Sequence, residues 1–291
     1  MAKPSLSVHT WHKLLVASRI AIGVAVLATA LAAAAQAPAP DTEVPFVVTP
    51  DNVTLAMLGL AGVGPRDHVI DLGSGDGRIV ILAARRFGAT GLGVEIVDDL
   101  VQRSRRSATL AGVADRVEFR TEDLFTTDLS RATVVTMYLL PEVNLQLRPR
   151  LLALAPGTRV VSHDYDLGDW RPDRSVVVDA PDKPVGRDKR STLHLWVVPA
   201  RVAGTWCGQG GAAGRTLQLQ QRHQHLQAWL DDRVLAGRVA GTDVALTARA
   251  GGALWLRTTA AAAQVGGITL EVASGDWAPL AGARFERCAG G

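Results

Sequence analysis

The stretch Val69-Ile70-Asp71-Leu72-Gly73-Ser74-Gly75-Asp76-Gly77-Arg78 decides the fold of this 291-residue chain. A short apolar run ends at an aspartate, three alternating glycines follow, and an apolar pattern of helical spacing begins at the arginine. Glycine has no Cβ, so the backbone can turn sharply at such positions and approach a ligand closely. A strand that passes through a glycine turn into a helix is typical of a nucleotide-cofactor site.

The spacing of the glycines distinguishes between cofactors. A dinucleotide-binding fingerprint reads G-x-G-x-x-G, whereas Gly73, Gly75 and Gly77 are each separated by one residue. Asp71 and Asp76 place negative charge where a pyrophosphate would lie, which disfavours NAD or ATP. The same charges suit a cofactor that carries an ammonium group and no phosphate, and S-adenosyl-L-methionine has these properties.

Acidic residues also lie at or just after the ends of the next two predicted strands, as Asp71 does before the glycine turn. The apolar run 91–95 ends at Glu95, where a carboxylate accepts hydrogen bonds from both ribose hydroxyls. After the run 116–121, Asp123 can accept a hydrogen bond from an amine, and Leu124 can pack against an adenine ring. Ligands of open parallel sheets bind beyond the carboxyl ends of the strands, so three such ends together predict the cofactor site.

Over residues 44–199 the chain resembles the class I S-adenosylmethionine-dependent methyltransferases. The stretches 71–80, Val44–Pro50 and Gly168–Trp170 are most similar to small bacterial relatives of the ATP synthase c-subunit lysine methyltransferases. The resemblance implies a protein lysine as one acceptor, beside small molecules, and implies that Thr49 and Pro50 meet the methionine moiety of the cofactor. The predicted cofactor-binding residues are Thr49, Asp71, Gly73, Ser74, Gly75, Asp76, Gly77, Glu95, Asp123 and Leu124.

The order of sequence patterns predicts an α/β fold with a seven-stranded Rossmann-like methyltransferase sheet. A short helix over 51–60, capped by Asp51 or Thr49, precedes alternating strands and helices. Strands are predicted over 68–72, 91–96, 117–120, 133–139 and 158–164, with a closing pair over 175–179 and 192–199. Helices are predicted over 78–87, 98–111 and 141–154.

From Arg201 onward, glycines punctuate strand-like runs without intervening helices, which predicts a small all-β domain, a barrel or a sandwich. The domain is expected to open with a strand at Gly204-Thr-Trp206, and further strands are expected over 216–221, 244–248, 254–258 and 268–272. The tryptophans at 196, 206, 229, 255 and 277 are expected in the core rather than in an aromatic cage. The predicted domains are a leader over 1–37, a methyltransferase domain over 38–199 and this β-rich domain over 200–291.

The first 37 residues have the pattern of a secretory signal peptide: three basic residues, an apolar run over 20–35 and a small-residue cleavage site at Ala35-Gln-Ala37. The apolar run is about 16 residues long, short of the ~20 that span a membrane. An uncleaved membrane anchor through residues 14–35 is the alternative. Without these three basic residues the chain has 28 acidic and 28 basic residues, so its charge does not indicate a nucleic-acid partner.

The two cysteines, Cys207 and Cys288, lie near the two ends of the predicted β-rich domain. In an exported protein this placement indicates a disulfide, with two unpaired thiols as the alternative. They are too few for a zinc site. His223 and His225 would share one face of a strand, but without a third ligand nearby we expect surface residues and no metal site.

The acceptor is expected beside the end of the fourth strand, which in the family lies against the methyl group. Tyr138 could direct a hydrogen bond at the incoming amine and Glu142 could attract its positive charge; a core tyrosine and a first-turn helix acid are the alternative. At the end of the fifth strand, His163 could take a proton and Asp164 could orient it, although a structural histidine is the simpler interpretation.

Two classes of function remain after these observations: a methyltransferase outside the cytosol, periplasmic or anchored in the inner membrane, and a non-catalytic sensor of adenosyl compounds whose barrel performs recognition. The second class is considered because S-adenosylmethionine is made in the cytosol and is charged, so a compartment outside the inner membrane should contain little of it. A cytosolic enzyme with a later start is a further alternative, but Met57, the next methionine, lies close to the glycine turn.

Overall fold

Seven strands form one mixed sheet in the computed structural model, which describes residues 47–248, 251–261 and 264–288. The predicted leader therefore lies outside the described residues. The strands are β1 His68–Leu72, β2 Thr90–Glu95, β3 Val117–Thr121, β4 Val134–Met137, β5 Arg159–His163, β6 Arg174–Asp179 and β7 Arg190–Val197. The helices are α1 Asp51–Leu60, α2 Arg78–Phe87, α3 Asp98–Leu110 and α4 Pro141–Leu151.

The strand order is β3-β2-β1-β4-β5-β7-β6, and only β7 runs against its neighbours. The carboxyl ends of β1 to β5 therefore meet at one edge of the sheet, which we call the carboxyl edge. The loop from β6 to β7 reaches the same edge, because β6 runs parallel to β5. The predicted seven-stranded sheet, including its closing pair of strands, is confirmed.

Alternating side chains bury both faces of the sheet. On one face, Val69, Val134 and Val161 pack against α1 and α2. On the other face, Ile70 and Val135 belong to a cluster that includes α4 and the buried Trp170 and Trp196. A sheet covered on both faces holds its strand ends in fixed positions, and those ends carry the predicted site residues.

Several predicted element bounds are wrong by a few residues. Helix α4 ends at Leu151 rather than Leu154, because residues 152–154 form tighter turns with hydrogen bonds from Ala153 to Arg150 and from Leu154 to Leu151. Strand β4 ends at Met137, since the chain leaves the ladder before Pro141 starts α4. Neither Asp51 nor Thr49 caps α1: Pro50 holds the N-cap position without a side-chain hydrogen bond.

Eight antiparallel strands after the sheet close into a barrel, which settles the choice between barrel and sandwich. The interior is filled with apolar side chains, among them Trp206, Leu219, Leu246 and Phe285. The strands are β8 Gly204–Gln209, β9 Thr216–Arg222, β10 His225–Leu230, β11 Arg233–Ala240, β12 Asp243–Ala248, β13 Ala253–Ala261, β14 Gln264–Ala273 and β15 Arg284–Arg287. Trp255 lies outside this core with 47% of its surface exposed, contrary to expectation.

Three barrel strands, β10, β11 and β15, were not predicted. The two-residue turns before β10 and β11 begin with His223 and Asp231, each at a φ of 52°. Such hairpin turns usually place glycine or asparagine at the position with positive φ, so their sequence signal is weak here. The turn also removes His223 from the strand, and the predicted shared face of His223 and His225 is therefore wrong.

The barrel packs at the edge of the sheet opposite the carboxyl edge. Strand β7 ends at Val197, which pairs with Arg159, the first residue of β5. Just beyond, the Ala200 N–H donates to the carbonyl of Gly241 in the β11–β12 turn (2.7 Å). Arg238 of the barrel pairs with Asp173 before β6 at 2.6 Å.

More contacts come from the β9–β10 turn. Gln224 donates to the Arg171 carbonyl at 2.5 Å, and Arg222 pairs with Asp169 at 3.2 Å. The described part of the barrel therefore contacts the amino-terminal side of the sheet and not the carboxyl edge.

Cys207 on β8 and Cys288 after β15 form a disulfide with an S–S distance of 2.07 Å, as predicted. It links two neighbouring strands of the barrel. Within the described ranges, no helix has the length and apolar character required to cross a membrane.

Candidate cofactor and acceptor site

The glycine turn between β1 and α2 uses its backbone N–H groups within the protein. Those of Gly73 and Ser74 both donate to the Val94 carbonyl at 2.9 Å, and that of Gly77 donates to the Ser74 carbonyl at 2.8 Å. The Gly75 N–H donates to the Glu95 carboxylate at 3.0 Å. The turn is therefore not the cradle of free N–H groups that binds a phosphate.

What the turn offers a ligand is close approach. Gly73, Gly75 and Gly77 have φ values of 72°, 53° and 78°, in the left-handed region that favours glycine. A Cβ on Gly77 would lie 2.6 Å from the Phe119 ring and 2.8 Å from the Ser104 Cβ. The turn thus fits tightly against β3 and α3, and its shape depends on the absence of side chains.

Asp71 lies at the centre of the sheet with only 2% of its surface exposed. Its neighbour on β4, Thr136, donates a hydrogen bond to the carboxylate at 2.7 Å. Burial raises the pKa of Asp71 to about 7, and the nearby carboxylates of Asp76 and Glu95 add to the shift, while Thr136 opposes it. A cationic group next to this carboxylate would relieve the unfavourable burial of its charge.

Asp76 does not face the ligand site as a free charge, contrary to expectation. Arg78 binds both of its oxygens, with Nε–Oδ1 at 2.9 Å and NH2–Oδ2 at 2.7 Å. The NH1 group of Arg78 also donates to the Thr49 carbonyl at 3.0 Å. Sequence reasoning missed Arg78, although its place directly after the glycine turn was a signal. It ties the turn to the segment before α1.

Glu95 ends β2 at the carboxyl edge, as predicted. Its Oε2 accepts from Gly75, and its Oε1 accepts from the N–H groups of Ile96 (2.8 Å) and Val97 (3.1 Å). These contacts fix the carboxylate toward the glycine turn. A carboxylate has about four acceptor positions, so it retains capacity for a hydroxyl.

Asp123 lies in the loop after β3 and accepts a hydrogen bond from the Phe125 N–H at 2.8 Å. Leu124 is half-buried and packs toward the core on the α4 side. Sequence reasoning overlooked two exposed apolar side chains beside these acids, Ile96 (67% exposed) and Phe125 (37%). Apolar surface next to carboxylates suits a flat ring that carries an amine.

The residues at this edge fit S-adenosylmethionine. They offer carboxylate acceptors for an ammonium group and hydroxyls, and the loop N–H groups and Arg78 are engaged within the protein. Ser74 Oγ is buried without a hydrogen-bond partner among the described residues, which leaves a polar atom for a ligand at the turn. When bound, the cofactor would supply an electrophilic methyl group. The roles of the individual residues stay predictions.

Tyr138 and Asp164, both candidates for the acceptor site, come together at the ends of β4 and β5. The Tyr138 hydroxyl lies 3.5 Å from Asp164 Oδ2, and the same oxygen pairs with Lys183 at 2.7 Å. Partial burial and the Asp164 charge raise the pKa of Tyr138 to about 12, so its hydroxyl remains a donor at neutral pH. Glu142 is exposed in the first turn of α4.

His163 has the environment of a structural histidine. Its side chain is fully buried, with Nε2 2.8 Å from Ser191 Oγ and Nδ1 3.3 Å from Thr49 Oγ1. Burial lowers its pKa to about 4; Asp164 opposes the shift and Lys183 adds to it. Both ring nitrogens have partners, so the geometry favours the structural interpretation over a proton acceptor.

The two histidines considered as metal ligands, His223 and His225, do not belong to a cluster of such ligands among the described residues. In the described parts of the chain, no group of three or more histidine, cysteine, aspartate or glutamate side chains is arranged to hold an ion. His223 instead lies 3.5 Å from Asp169 and stacks on Trp170.

We expect Gly77→Ala to cost more stability than Gly112→Ala. Both positions have a similar positive φ, but the space around Gly112 is open. Backbone strain alone should lower the free energy of unfolding of Gly112→Ala by about 1–2 kcal/mol. Overpacking against Phe119 should bring the loss in Gly77→Ala to about 2–5 kcal/mol. Urea unfolding measures both.

Calorimetry with S-adenosylhomocysteine should also show weaker binding in Gly77→Ala only. Equal losses in the two variants would contradict the tight fit of the turn against β3.

We expect Asp71 to make the free protein less stable as pH rises from about 4 to about 7. The folded-state pKa of about 7 lies above the ordinary 3.8 of the unfolded chain. The penalty is absent below the lower value, where both states are protonated, and is complete above the higher one. Asp71→Asn should remove this slope in unfolding experiments across that pH range.

Asp67→Asn is the matched control for Asp71→Asn. Partial burial opposes the shift at Asp67, but hydrogen bonds from Thr133, the Gly64 N–H and Arg159 lower its pKa. Asp67 therefore adds stability that is lost as pH falls through the folded-state pKa, the opposite sign. A pH slope unchanged in Asp71→Asn would contradict the predicted state of this carboxyl.

The ANTKMT methyltransferase domain model matches residues 71–174. A protein-lysine N-methyltransferase of Saccharolobus islandicus (strain REY15A) is 44% identical over 158 residues, which cover 54% of this chain and 94% of that protein. The human ATP synthase c-subunit lysine N-methyltransferase is 37% identical over 109 residues, 37% of this chain and 46% of that enzyme.

A solved structure, an RNA methyltransferase from Salinibacter ruber in complex with S-adenosyl-L-homocysteine, is 53% identical and has a TM-score of 0.49. The match covers 54% of this chain and 96% of that chain. The identity to the Saccharolobus enzyme extends over nearly all of that protein. On that similarity, the chain belongs to the class I S-adenosylmethionine-dependent methyltransferases, in the family of the protein-lysine N-methyltransferases.

Proposed function

We propose that this methyltransferase acts on the side-chain amine of lysine in a protein substrate. The observation that carries the proposal is the chemistry of the carboxyl edge beside the cofactor site. Asp164 and Glu142 place carboxylates there. The Tyr138 hydroxyl lies 3.5 Å from Asp164 Oδ2, the oxygen that also pairs with Lys183. A carboxylate and a neighbouring hydroxyl oxygen suit a cationic amine, because both can accept its hydrogen bonds. The names of the Saccharolobus and human relatives support the same acceptor.

Methyl transfer is an in-line displacement, so the protein mainly has to orient the amine and exclude water. Asp164 and Glu142 would draw the ammonium to the carboxyl edge. The amine must lose a proton to expose its lone pair, and solvent at the edge can accept it. The Tyr138 hydroxyl, which stays protonated and donates to Asp164, would accept a hydrogen bond from an N–H of the acceptor and so orient the amine.

The position of the barrel supports an acceptor larger than a metabolite. The described barrel strands contact the opposite edge of the sheet, so they do not stand between the carboxyl edge and a protein surface. A surface cleft of about 410 Å³ on the barrel is lined by charges that are already paired: Arg257 lies 3.0 Å from Asp243 and 3.2 Å from Glu271. These features give little support to the alternative in which the barrel recognises an adenosyl ligand.

The test offers the purified protein three acceptors: a lysine peptide, the same peptide with arginine in place of lysine, and an RNA oligonucleotide. Formation of S-adenosylhomocysteine should require the lysine peptide. Binding of S-adenosylmethionine without turnover on any acceptor would favour the sensor alternative. Transfer to RNA alone would overturn the lysine proposal.

Tyr138→Phe and Tyr165→Phe form a matched pair for this assay, because the two rings stack 6.3 Å apart. Loss of the Tyr138 hydroxyl should lower kcat/KM about tenfold, as expected for a hydrogen bond to a charged group worth about 1.4 kcal/mol. Tyr165→Phe should keep full activity. A similar loss in both variants would indicate a packing effect instead.

We also propose that the protein acts outside the cytosol, with residues 1–37 as a leader and domains over 38–199 and 200–291. The disulfide between Cys207 and Cys288 supports this location, because such bonds persist in oxidising compartments. The cofactor would then have to reach that compartment.

Thiol alkylation of the protein from expressing cells tests the location. Both cysteines should resist alkylation until reduced, whereas a variant without residues 1–37 should be alkylated at both. Reactive thiols in the full chain would favour the cytosolic alternative.

A further inference from the structure

Lysine is rare in this chain and concentrated in one loop. Of 31 basic residues only four are lysines, and two of these, Lys3 and Lys13, lie in the predicted leader. The others, Lys183 and Lys189, both belong to the loop between β6 and β7. This loop reaches the carboxyl edge, where the acceptor is proposed to bind.

The Lys183 amine points inward, toward the side chains of Asp164 and Tyr138. Its Nζ lies 2.7 Å from Asp164 Oδ2 and donates to the Arg190 carbonyl at 2.7 Å. Only 11% of the side chain is exposed. The same Asp164 oxygen lies 3.5 Å from the Tyr138 hydroxyl. A lysine amine of the protein itself thus occupies the position proposed for the acceptor amine.

Asp164 is held in place for this contact. It has a φ of 63°, unusual for a residue with a side chain, and its Oδ1 accepts from the Thr192 N–H at 3.0 Å. The Oδ2 atom is thereby aimed at Lys183 and Tyr138.

The use of lysine here differs from the other ion pairs of the described residues. Arginine is the cation in all the other pairs that do not involve histidine, such as Arg78–Asp76 and Arg238–Asp173. Arginine binds carboxylates through a planar fork and remains charged, whereas lysine can lose its proton and become a nucleophile. If the only role of residue 183 were to neutralise the charge of Asp164, an arginine could fill it.

We propose that Lys183 is a self-methylation site, an internal acceptor that competes with the substrate lysine for Asp164. The inference rests on the proposed function, because it places the same chemistry on a residue of the chain. Lys189, six residues further on, is exposed and donates to the Lys183 carbonyl at 2.6 Å. It is not expected to accept a methyl group.

The Lys183 ammonium releases one proton to solvent, and the nitrogen lone pair forms a bond to the methyl carbon of S-adenosylmethionine. The carbon–sulfur bond breaks, its electron pair stays on sulfur, and S-adenosylhomocysteine leaves. One or two methyl groups keep a positive charge and an N–H donor on the nitrogen, whereas three leave no N–H for Asp164. We therefore expect mono- and dimethyl-lysine to accumulate.

The experiment incubates the full chain with deuterium-labelled S-adenosylmethionine, with and without a lysine peptide, and maps the label by peptide mass spectrometry. Label should appear on Lys183, with a rate constant independent of protein concentration, and the peptide should slow it. Lys183→Met should abolish the label and, because it removes the cation that pairs with Asp164, lower the KM for the peptide. The control Lys189→Arg should leave both unchanged.

Chemical acylation of the two lysines, which needs no cofactor, tests the contact between Lys183 and Asp164 in the free protein. An amine-acylating reagent should modify Lys189 well before Lys183 in the native protein. In Asp164→Asn, Lys183 should become reactive, while Lys189 should not change. Equal reactivity of the two lysines in the native protein would overturn the proposal.

The outcomes separate this inference from the proposed function. Methylated peptide with unlabelled Lys183, or label on Lys189 alone, overturns the self-methylation site and leaves lysine methylation standing. If neither the peptide nor Lys183 is labelled, the proposed function fails as well.

Discussion

The guanidinium of Arg78 makes the contacts on which the geometry of the site depends. It binds both oxygens of Asp76 in the glycine turn and donates to the Thr49 carbonyl. The Thr49 hydroxyl in turn lies against His163, whose other ring nitrogen contacts Ser191. One chain of contacts therefore joins the turn after β1 to the end of β5 and the start of β7. These groups are buried or half-buried, so a shift of any of these strand ends would leave a polar atom unpaired, at a cost of about 1–3 kcal/mol.

The placement of the acids in the cofactor half of the site could be predicted from sequence because its determinants are local. Asp71 and Glu95 each end a strand, and a parallel sheet brings such ends to one edge. The interactions that set their charge states are not local in this way. Arg78 competes with any ligand for Asp76, and the Asp71 carboxyl is influenced by Thr136, 65 residues away. Sequence can therefore identify the acids at an edge, but only packing decides which of them remain free charges.

The acceptor half and the barrel were less predictable, for different physical reasons. Lys183 and Asp164 approach each other through the β6–β7 loop, and no residue period or motif marks that contact. In the barrel, the alternation of buried and exposed residues was visible, but the turns at His223 and Asp231 lack glycine. The strands that follow those turns, β10 and β11, were therefore missed, although a barrel was one of the two predicted architectures.

The buried state of His163 becomes understandable from the charges that meet at the carboxyl edge. An amine approaching a sulfonium carries a like charge until it loses its proton. Two unit charges 4 Å apart repel by about 4 kcal/mol at an effective dielectric constant of about 20, which corresponds to about three pKa units. This repulsion lowers a lysine pKa from about 10.4 toward neutrality once the amine leaves the Asp164 carboxylate, whose attraction has the opposite effect. In the proposed mechanism, Asp164 therefore collects the ammonium while it is still charged, and the amine loses its proton to solvent near the sulfonium without a dedicated base. His163, with both ring nitrogens engaged and a pKa of about 4, is free to act as a structural link between strand ends.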